Sequence, residues 1–297
     1  MFGLRPDGKK VKDLDPIQRI VPHIMKERND SQNHTSFDFP CAPFDDFIRE
    51  QELKGEKYTY MHILIAGAVR TIAQLPRLNR FVMNGRIFMR NSIQISFVVK
   101  KNLSADAPDS LVKLDFTGLE SLPQVKEKID AAIRENNRIS ADNGTDKLAR
   151  IITYTPNCII KLVVGLAKFL DKHGMLPNAL LKLSPFHTTL FVTNMKSLGG
   201  PSIFHHLYDF GTTGMFFSIG KESVTPVFRK GELQQTKLLP LWFVCDERFC
   251  DGFYYVKAMK SLLQKLMRPA SMMEPLESLA ADTVVIHGRR ARELKTA

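Results

Sequence analysis

The densest group of reactive side chains in the 297-residue sequence is Asp246-Glu247-Arg248-Phe249-Cys250-Asp251-Gly252. It follows an apolar run, Leu239–Cys245, and precedes a second one, Phe253–Met267. The runs predict a strand and a helix, so both Glu247 and Asp251 stand in the turn between them. Three roles are open to Glu247: a general base, a binding residue without catalytic work, or half of an ion pair. Asp251 suits a structural role, in an ion pair or facing the dipole at the helix start. Thr193, in Leu190-Phe191-Val192-Thr193-Asn194-Met195, carries a hydroxyl that can stabilise an oxyanion, and threonine is equally an ordinary strand residue. His205 and His206 are adjacent, so on a strand they would face opposite ways, and at most one could serve as a substitute base. Neighbouring histidines are also common on surfaces and in cores.

The four cysteines, Cys41, Cys158, Cys245 and Cys250, are too sparse for a disulfide framework, which fits a reducing cytoplasm. Cys245 and Cys250 have no second pair to complete a zinc site, so no metal is expected. With 42 basic and 31 acidic residues the net charge is +11, suited to nucleic acid, an anionic membrane or a phosphorylated ligand. The Lys and Arg are spread along the chain rather than gathered on one stripe, which argues against nucleic acid. The densest runs, Lys9-Lys10 with Lys12 and Arg289-Arg290 with Arg292, read as solvated terminal tails. The first residues lack the apolar stretch of a signal peptide, and Cys158–Leu170, broken by Lys161 and Lys168, is short of the roughly 20 residues that span a bilayer. No transmembrane segment is expected.

The elements that must position these residues follow from periodicity. Asp15 and Pro16 open a helix over Ile17–Arg28, and Ser36–Phe39 alternates as a strand. Pro43–Leu53 and Tyr60–Leu75 have helical spacing, the second ended by Pro76. Ile93–Val99 alternates as a half-buried strand, and Pro123–Asn137 is an amphipathic helix. Pro156–Leu183 reads as two apolar helices joined at His173-Gly174, covering a substrate opening or packed on the sheet. Thr188–Asn194, Gly214–Gly220 and Leu239–Cys245 are strands. With no repeat and no long linker, residues 1–297 are expected to form one α+β domain with polar ends.

The turn resembles the D-H-R-x-x-D-G signature of dihydrolipoyl acyltransferase catalytic domains and the H-H-x-x-x-D-G form of chloramphenicol acetyltransferase. Leu190–Met195 is similar to that family's F-T-x-S-N-L strand, and Leu75-Pro76-Arg77-Leu78-Asn79 to its V-P-x-x-N turn. The likeness covers about residues 15–268 and is poorest over about 140–186. It implies an α+β mixed sheet with flanking helices, a homotrimer with active sites between subunits, and acyl transfer between coenzyme A and an acceptor. It also implies that Thr193 occupies the place of the oxyanion-binding serine, that Asp251 pairs with an arginine, here Arg19, and that Glu247 replaces the histidine that deprotonates the thiol. No lipoyl domain is expected ahead of the catalytic unit.

That replacement matters chemically. Histidine titrates near 6.5 and a thiol near 8.5, whereas a glutamate titrates near 4.3, so proton transfer loses roughly 3 kcal/mol unless burial raises the carboxyl. The chain is therefore either an acyltransferase with a weak or tuned base or an inactive trimer that retains binding. A third possibility is docking of the basic surface and the Pro156–Leu183 helices on an anionic membrane or an acyl-chain carrier.

Overall fold

The computed structural model describes residues 5–12, 14–100, 109–139, 154–229 and 231–280. Arg289, Arg290 and Arg292 lie outside the described residues. Seven strands form a mixed sheet: β2 (Gln32–Pro40), β10 (Glu232–Asp246), β8 (Met215–Ile219), β7 (Leu190–Asn194), β5 (Ile93–Lys100) and β6 (Asp109–Phe116) in spatial order, with β9 (Ser223–Arg229) pairing the first half of β10. The β5–β7 and β7–β8 pairs are parallel; the others are antiparallel. A small sheet, β1 (Gly8–Lys10), β4 (Arg86–Arg90) and β3 (Arg80–Met83), stands beside it. The β3–β4 hairpin turns through Asn84 and Gly85, both at positive φ. That conformation suits the right-handed twist of paired strands.

One sheet face carries the main core. Ile95, Phe97, Leu190, Val192, Phe217, Ile219 and Leu241 pack there against α3 (Tyr60–Gln74), which has 13 buried positions, with α4 (Leu122–Ile139) and α7 (Gly252–Leu266) on its flanks. The helix begins at a capping box in which the Thr59 hydroxyl accepts from the His62 N–H and the Thr59 N–H is accepted by His62 Nδ1 at 3.2 Å. Gly67 lets α7 approach closely, since a Cβ there would stand 2.9 Å from Leu266 Cδ2. The other face holds a smaller cluster of Phe191, Leu207, Phe216 and Val244.

Several boundaries differ from those the sequence suggests. Helix α1 (Pro16–Ile24) ends four residues before Arg28, because Met25 turns extended and Arg28 is drawn into a buried hydrogen-bond knot. Its start is as expected, with Asp15 Oδ1 accepting from the N–H groups of Ile17 and Gln18. Lys9 and Lys10 lie on β1, paired with Met89 and Phe88, and are not a free tail. Helix α5 (Asn157–Lys172) buries only Asp171, while α6 (Asn178–Leu183) meets the β6 edge of the sheet, where Lys113 Nζ donates to Leu181 O at 2.8 Å, and buries only Leu181.

Candidate active site

Strand β10 delivers the turn, and the turn is fixed from both sides. Arg248 folds back on Asp246 in a buried ion pair, Nη2–Oδ2 2.6 Å and Nε–Oδ1 2.9 Å, and also donates to the carbonyls of Met25 and Lys26. The Asp246 N–H donates to Gly214 O at 3.0 Å, and the Glu247 N–H to Ser31 O at 2.9 Å. Beneath it, the fully buried Arg28 donates to the carbonyls of Gly211 (2.6 Å), Asp209 (3.0 Å), Tyr208 (3.2 Å) and Val82 (3.3 Å). Burial pushes that guanidinium down to about 10. Two arginines thus bind this end of the sheet to the segment after α1.

Glu247 is half-buried at the top of this arrangement, and its carboxylate has no hydrogen bond or ion pair among the described residues. Asp251 is the N-cap of α7, its Oδ1 accepting from the Tyr254 N–H at 2.9 Å. Its charged neighbour is Arg77 at 3.9 Å, not Arg19. The loop after α3 accounts for the exchange: Arg77 lies over the Tyr254 ring, and its N–H donates to the Tyr254 hydroxyl, which brings it to the start of α7. Asn79, from the same turn, donates to Ser92 O and accepts from Thr189 Oγ1, tying α3 to the starts of β5 and β7.

Thr193 stands elsewhere. It is level with Ser218 on β8, and Ser218 is level with Trp242 on β10. Glu247 lies five positions beyond Trp242, past the ends where β7 and β8 begin. At about 3.3 Å per residue the two levels are roughly 16 Å apart along the strands. A single copy therefore does not bring the Thr193 hydroxyl to the Glu247 carboxylate. Thr193 Oγ1 has Met195 Sδ at 3.8 Å as its neighbour and lies on the face opposite the main core, with Phe191.

His205 and His206 occupy an irregular segment rather than a strand, so alternation does not separate them: their rings stack 5.0 Å apart at 8°. His205 also stacks on Phe216 at 3.8 Å, and burial lowers its pKa. Neither is set beside Glu247 by any contact in the structure. Cys245 and Cys250 are buried free thiols; their mutual hydrogen bond, with burial, holds Cys245 well above the usual thiol range. Among the described residues no group of three or more His, Cys, Asp or Glu could hold a metal ion.

Next to the turn is a cavity of about 570 Å³ of mixed charge, lined by Lys26, Arg28, Arg248 and Lys168 and Lys172 of α5, together with Glu27, Asp171 and Asp209. Sequence reasoning missed Arg28 and Arg248 as organisers of the site, because a buried arginine is distinguished from a surface one only by the carbonyls that surround it. It also missed Lys168 and Lys172 as lining residues, since nothing local to α5 records where its last turn lies.

No family model matches the chain. In sequence it is 22% identical over 204 residues to the dihydrolipoyllysine-residue acetyltransferase component of the pyruvate dehydrogenase complex of Mycoplasma capricolum, which covers 67% of this chain and 35% of that protein. The chain thus spans about a third of the length of that relative. In structure it is similar to a dihydrolipoamide acetyltransferase of Azotobacter vinelandii, at TM-score 0.54 and 15% identity over 88% of this chain and 93% of the other. A probable dihydrolipoamide acetyltransferase of Listeria monocytogenes gives TM-score 0.52 and 13% identity, covering 86% and 94%. A chloramphenicol acetyltransferase gives 0.51 and 10%, covering 87% and 99%. The fold is the mixed sheet with flanking helices that these acetyltransferases share.

Proposed function

We propose that this protein transfers an acyl group between coenzyme A and a small acceptor, at a site completed by two copies of a homotrimer. The observation that carries this is the geometry of the turn: Glu247 is held half-buried, its carboxylate unpaired among the described residues, about 16 Å along the strands from the Thr193 hydroxyl of its own copy. Two groups suited to one reaction, fixed at opposite ends of one sheet, make sense where the Thr193 end of one copy meets the Glu247 end of the next. The cavity beside the turn, lined by Lys26, Lys168 and Lys172 as well as by Glu27 and Asp209, offers three lysine ammonium groups to the phosphates of coenzyme A. No metal takes part in this scheme. In the forward step Glu247 accepts the proton of the acceptor's attacking thiol or hydroxyl, the Thr193 hydroxyl of the neighbouring copy donates a hydrogen bond to the tetrahedral oxyanion, and collapse breaks the thioester C–S bond, with the proton passing from Glu247 to the departing coenzyme A thiolate. Asp251 does not react; it caps α7 and fixes the turn.

A second reading is favoured by one specific feature, the carboxylate of Glu247 in place of the imidazole that the resemblance of the turn implies: a trimer that binds coenzyme A or acyl ligands without turning them over, as a scaffold. One experiment separates the two. Free thiol released from acetyl-CoA and longer acyl-CoA thioesters is measured for wild type, Glu247→Gln and Glu247→His. If Glu247 is a working base, Gln abolishes turnover and leaves coenzyme A binding by calorimetry nearly unchanged. Glu247→His raises turnover, by up to about 100-fold if the proton-transfer difference of roughly 3 kcal/mol is fully expressed. Turnover that survives Glu247→Gln removes the catalytic assignment. Absence of activity in wild type and in Glu247→His, with coenzyme A still bound, establishes the scaffold.

A further inference from the structure

Helix α5 has a composition that its position in the fold does not use. Lys161, Lys168 and Lys172 are spaced by seven and four, so at 100° per residue they fall within roughly 40° of arc. The opposite half of the helix carries Ile159, Leu162, Val163, Leu166 and Phe169, each between 47% and 72% exposed. The one acidic residue of the helix, Asp171, is buried, its carboxylate taken by Arg5 at 2.8 Å and His187 at 3.0 Å. Lysine is therefore the only accessible charge on α5. Beyond it, α6 adds exposed Leu180 and Leu183 beside Lys182. Contiguous apolar surface of this kind on a protein marks an interaction site.

We propose that α5 docks on an anionic phospholipid membrane, lying in the plane of the surface with its apolar half among the acyl chains and its lysines at the level of the phosphates. Sixteen residues at 1.5 Å each make a rod of roughly 24 Å, too short and too charged to cross a bilayer, and no described helix is long and apolar enough to do so. Charge decides between lipid and a second copy of the chain. Two α5 helices meeting by their apolar halves would leave the three lysines of each without a counter-charge, whereas lipid phosphates neutralise all three. The anchored end of α5 places Lys168 and Lys172 on the cavity beside Arg248, so a docked membrane would lie next to that opening. Membrane docking does not require acyl transfer, although it draws on Lys168 and Lys172, which also line the cavity proposed for coenzyme A.

The test is co-sedimentation of the full chain with phosphatidylcholine vesicles with and without phosphatidylglycerol. Wild type is expected to pellet with the anionic vesicles and to be released as salt rises. Exchanging Lys161, Lys168 and Lys172 for Gln should weaken binding on the order of 100-fold, at about fivefold per lysine. The triple variant Leu162→Glu, Leu166→Glu, Phe169→Glu should abolish it. Cys158, the one exposed cysteine, allows a second measurement on the wild-type fold: an environment-sensitive dye attached there should shift to the blue when anionic vesicles are added. Wild type that stays in the supernatant without a dye shift overturns the proposal, as does equal binding to both vesicle types that ignores the Lys→Gln exchange. A fall in mass by light scattering in the Glu variant without lipid, with vesicle binding retained, would assign the face to a second copy instead.

Discussion

Helices α3 and α5 are nearly equal in length, at 15 and 16 residues, and both are rich in Ile, Leu, Val and Ala, yet their surroundings are opposite. In α3 thirteen positions are buried; in α5 the only buried one is the charged Asp171. The difference lies in what surrounds the apolar residues. Around α3 the small residues Ala66, Gly67, Ala68 and Ala73 admit neighbours on several sides, and its one arginine, Arg70, reaches carbonyls of Ser271 and Glu274. Around α5 three lysines share one stripe, and among the described residues no element covers the other half. Apolar content alone therefore does not decide burial; a helix is buried where its side-chain sizes and polar groups can be matched by neighbours.

The comparison is broken most severely in α3. Ile65 is fully buried, so Ile65→Ala should cost about 3–4 kcal/mol through lost transfer energy and the cavity left behind. Urea titration followed by circular dichroism measures this as a lower midpoint with an unchanged slope. A loss under about 1 kcal/mol would mean that the sheet face collapses around the smaller side chain and that α3 is not the rigid centre described.

The next effect comes from the point where α5 is tied down. Asp171 lies against Arg5 and His187, with Asp7 and Arg90 in the same cluster, and Ser184 Oγ lies 2.7 Å from His187 Nδ1. Burial alone would raise the Asp171 carboxyl, but its bond with His187 and the charge of Arg5 outweigh it and hold it below 3.8. Burial lowers His187 below 6.5 despite Asp171. Both shifts have one sign: the unfolded chain binds more protons, so stability present at neutral pH falls as pH drops, first below 6.5 through His187 and then below 3.8 through Asp171. Asp171→Asn should cost about 2 kcal/mol at pH 7, since Arg5 keeps Asp7 as a partner. It should also remove Asp171's share of the loss below 3.8, leaving that of Asp7, and deepen the one that starts at 6.5, as His187 loses its carboxylate. Thermal melts from pH 8 to 3 test this, and parallel curves for wild type and variant would sink it.

Much of the sheet and its helices was legible because burial leaves a period in the sequence. Ile93–Val99 and Leu239–Cys245 each fall within an observed strand, Thr188–Asn194 contains β7, which starts two residues later at Leu190, and Pro123–Asn137 falls within α4. Strands β1, β3 and β9 and the first half of β10 were not, since their residues, such as Lys9, Gln234 and Gln235, alternate weakly and are defined by the partner they pair with. The turn at Glu247 could be placed between strand and helix, because its flanks are periodic. The distance from Thr193 to Glu247 was not legible: 54 residues apart in sequence says nothing about register, which the Thr193–Ser218–Trp242 alignment sets. Nor was the partner of Asp251, because Arg77 reaches it through the loop after α3 and not through any local spacing. For α5 the apolar period shows a helix but does not distinguish one packed on the sheet from one beside an opening, and among the described residues it buries only Asp171 while lining the cavity.

The smallest expected effect sharpens the comparison from the other side. Leu166 is 56% exposed, in the middle of the apolar half of α5. Leu166→Ala removes side-chain atoms that already meet water, so there is no cavity to form and little transfer energy to lose. Alanine is also slightly the better helix former, which offsets what remains. The change in unfolding free energy should be within about 0.5 kcal/mol, an order of magnitude below that of Ile65→Ala, although both delete an aliphatic side chain from a helix of similar length. The measurement is the same urea titration, repeated at two protein concentrations. A loss of about 2 kcal/mol or more that grows with concentration would show that another copy covers Leu166 in solution, and a loss of that size independent of concentration would show that α5 folds back on its own chain. Stability unchanged at both concentrations leaves the apolar half of α5 free in the unbound protein, as docking on a lipid surface requires.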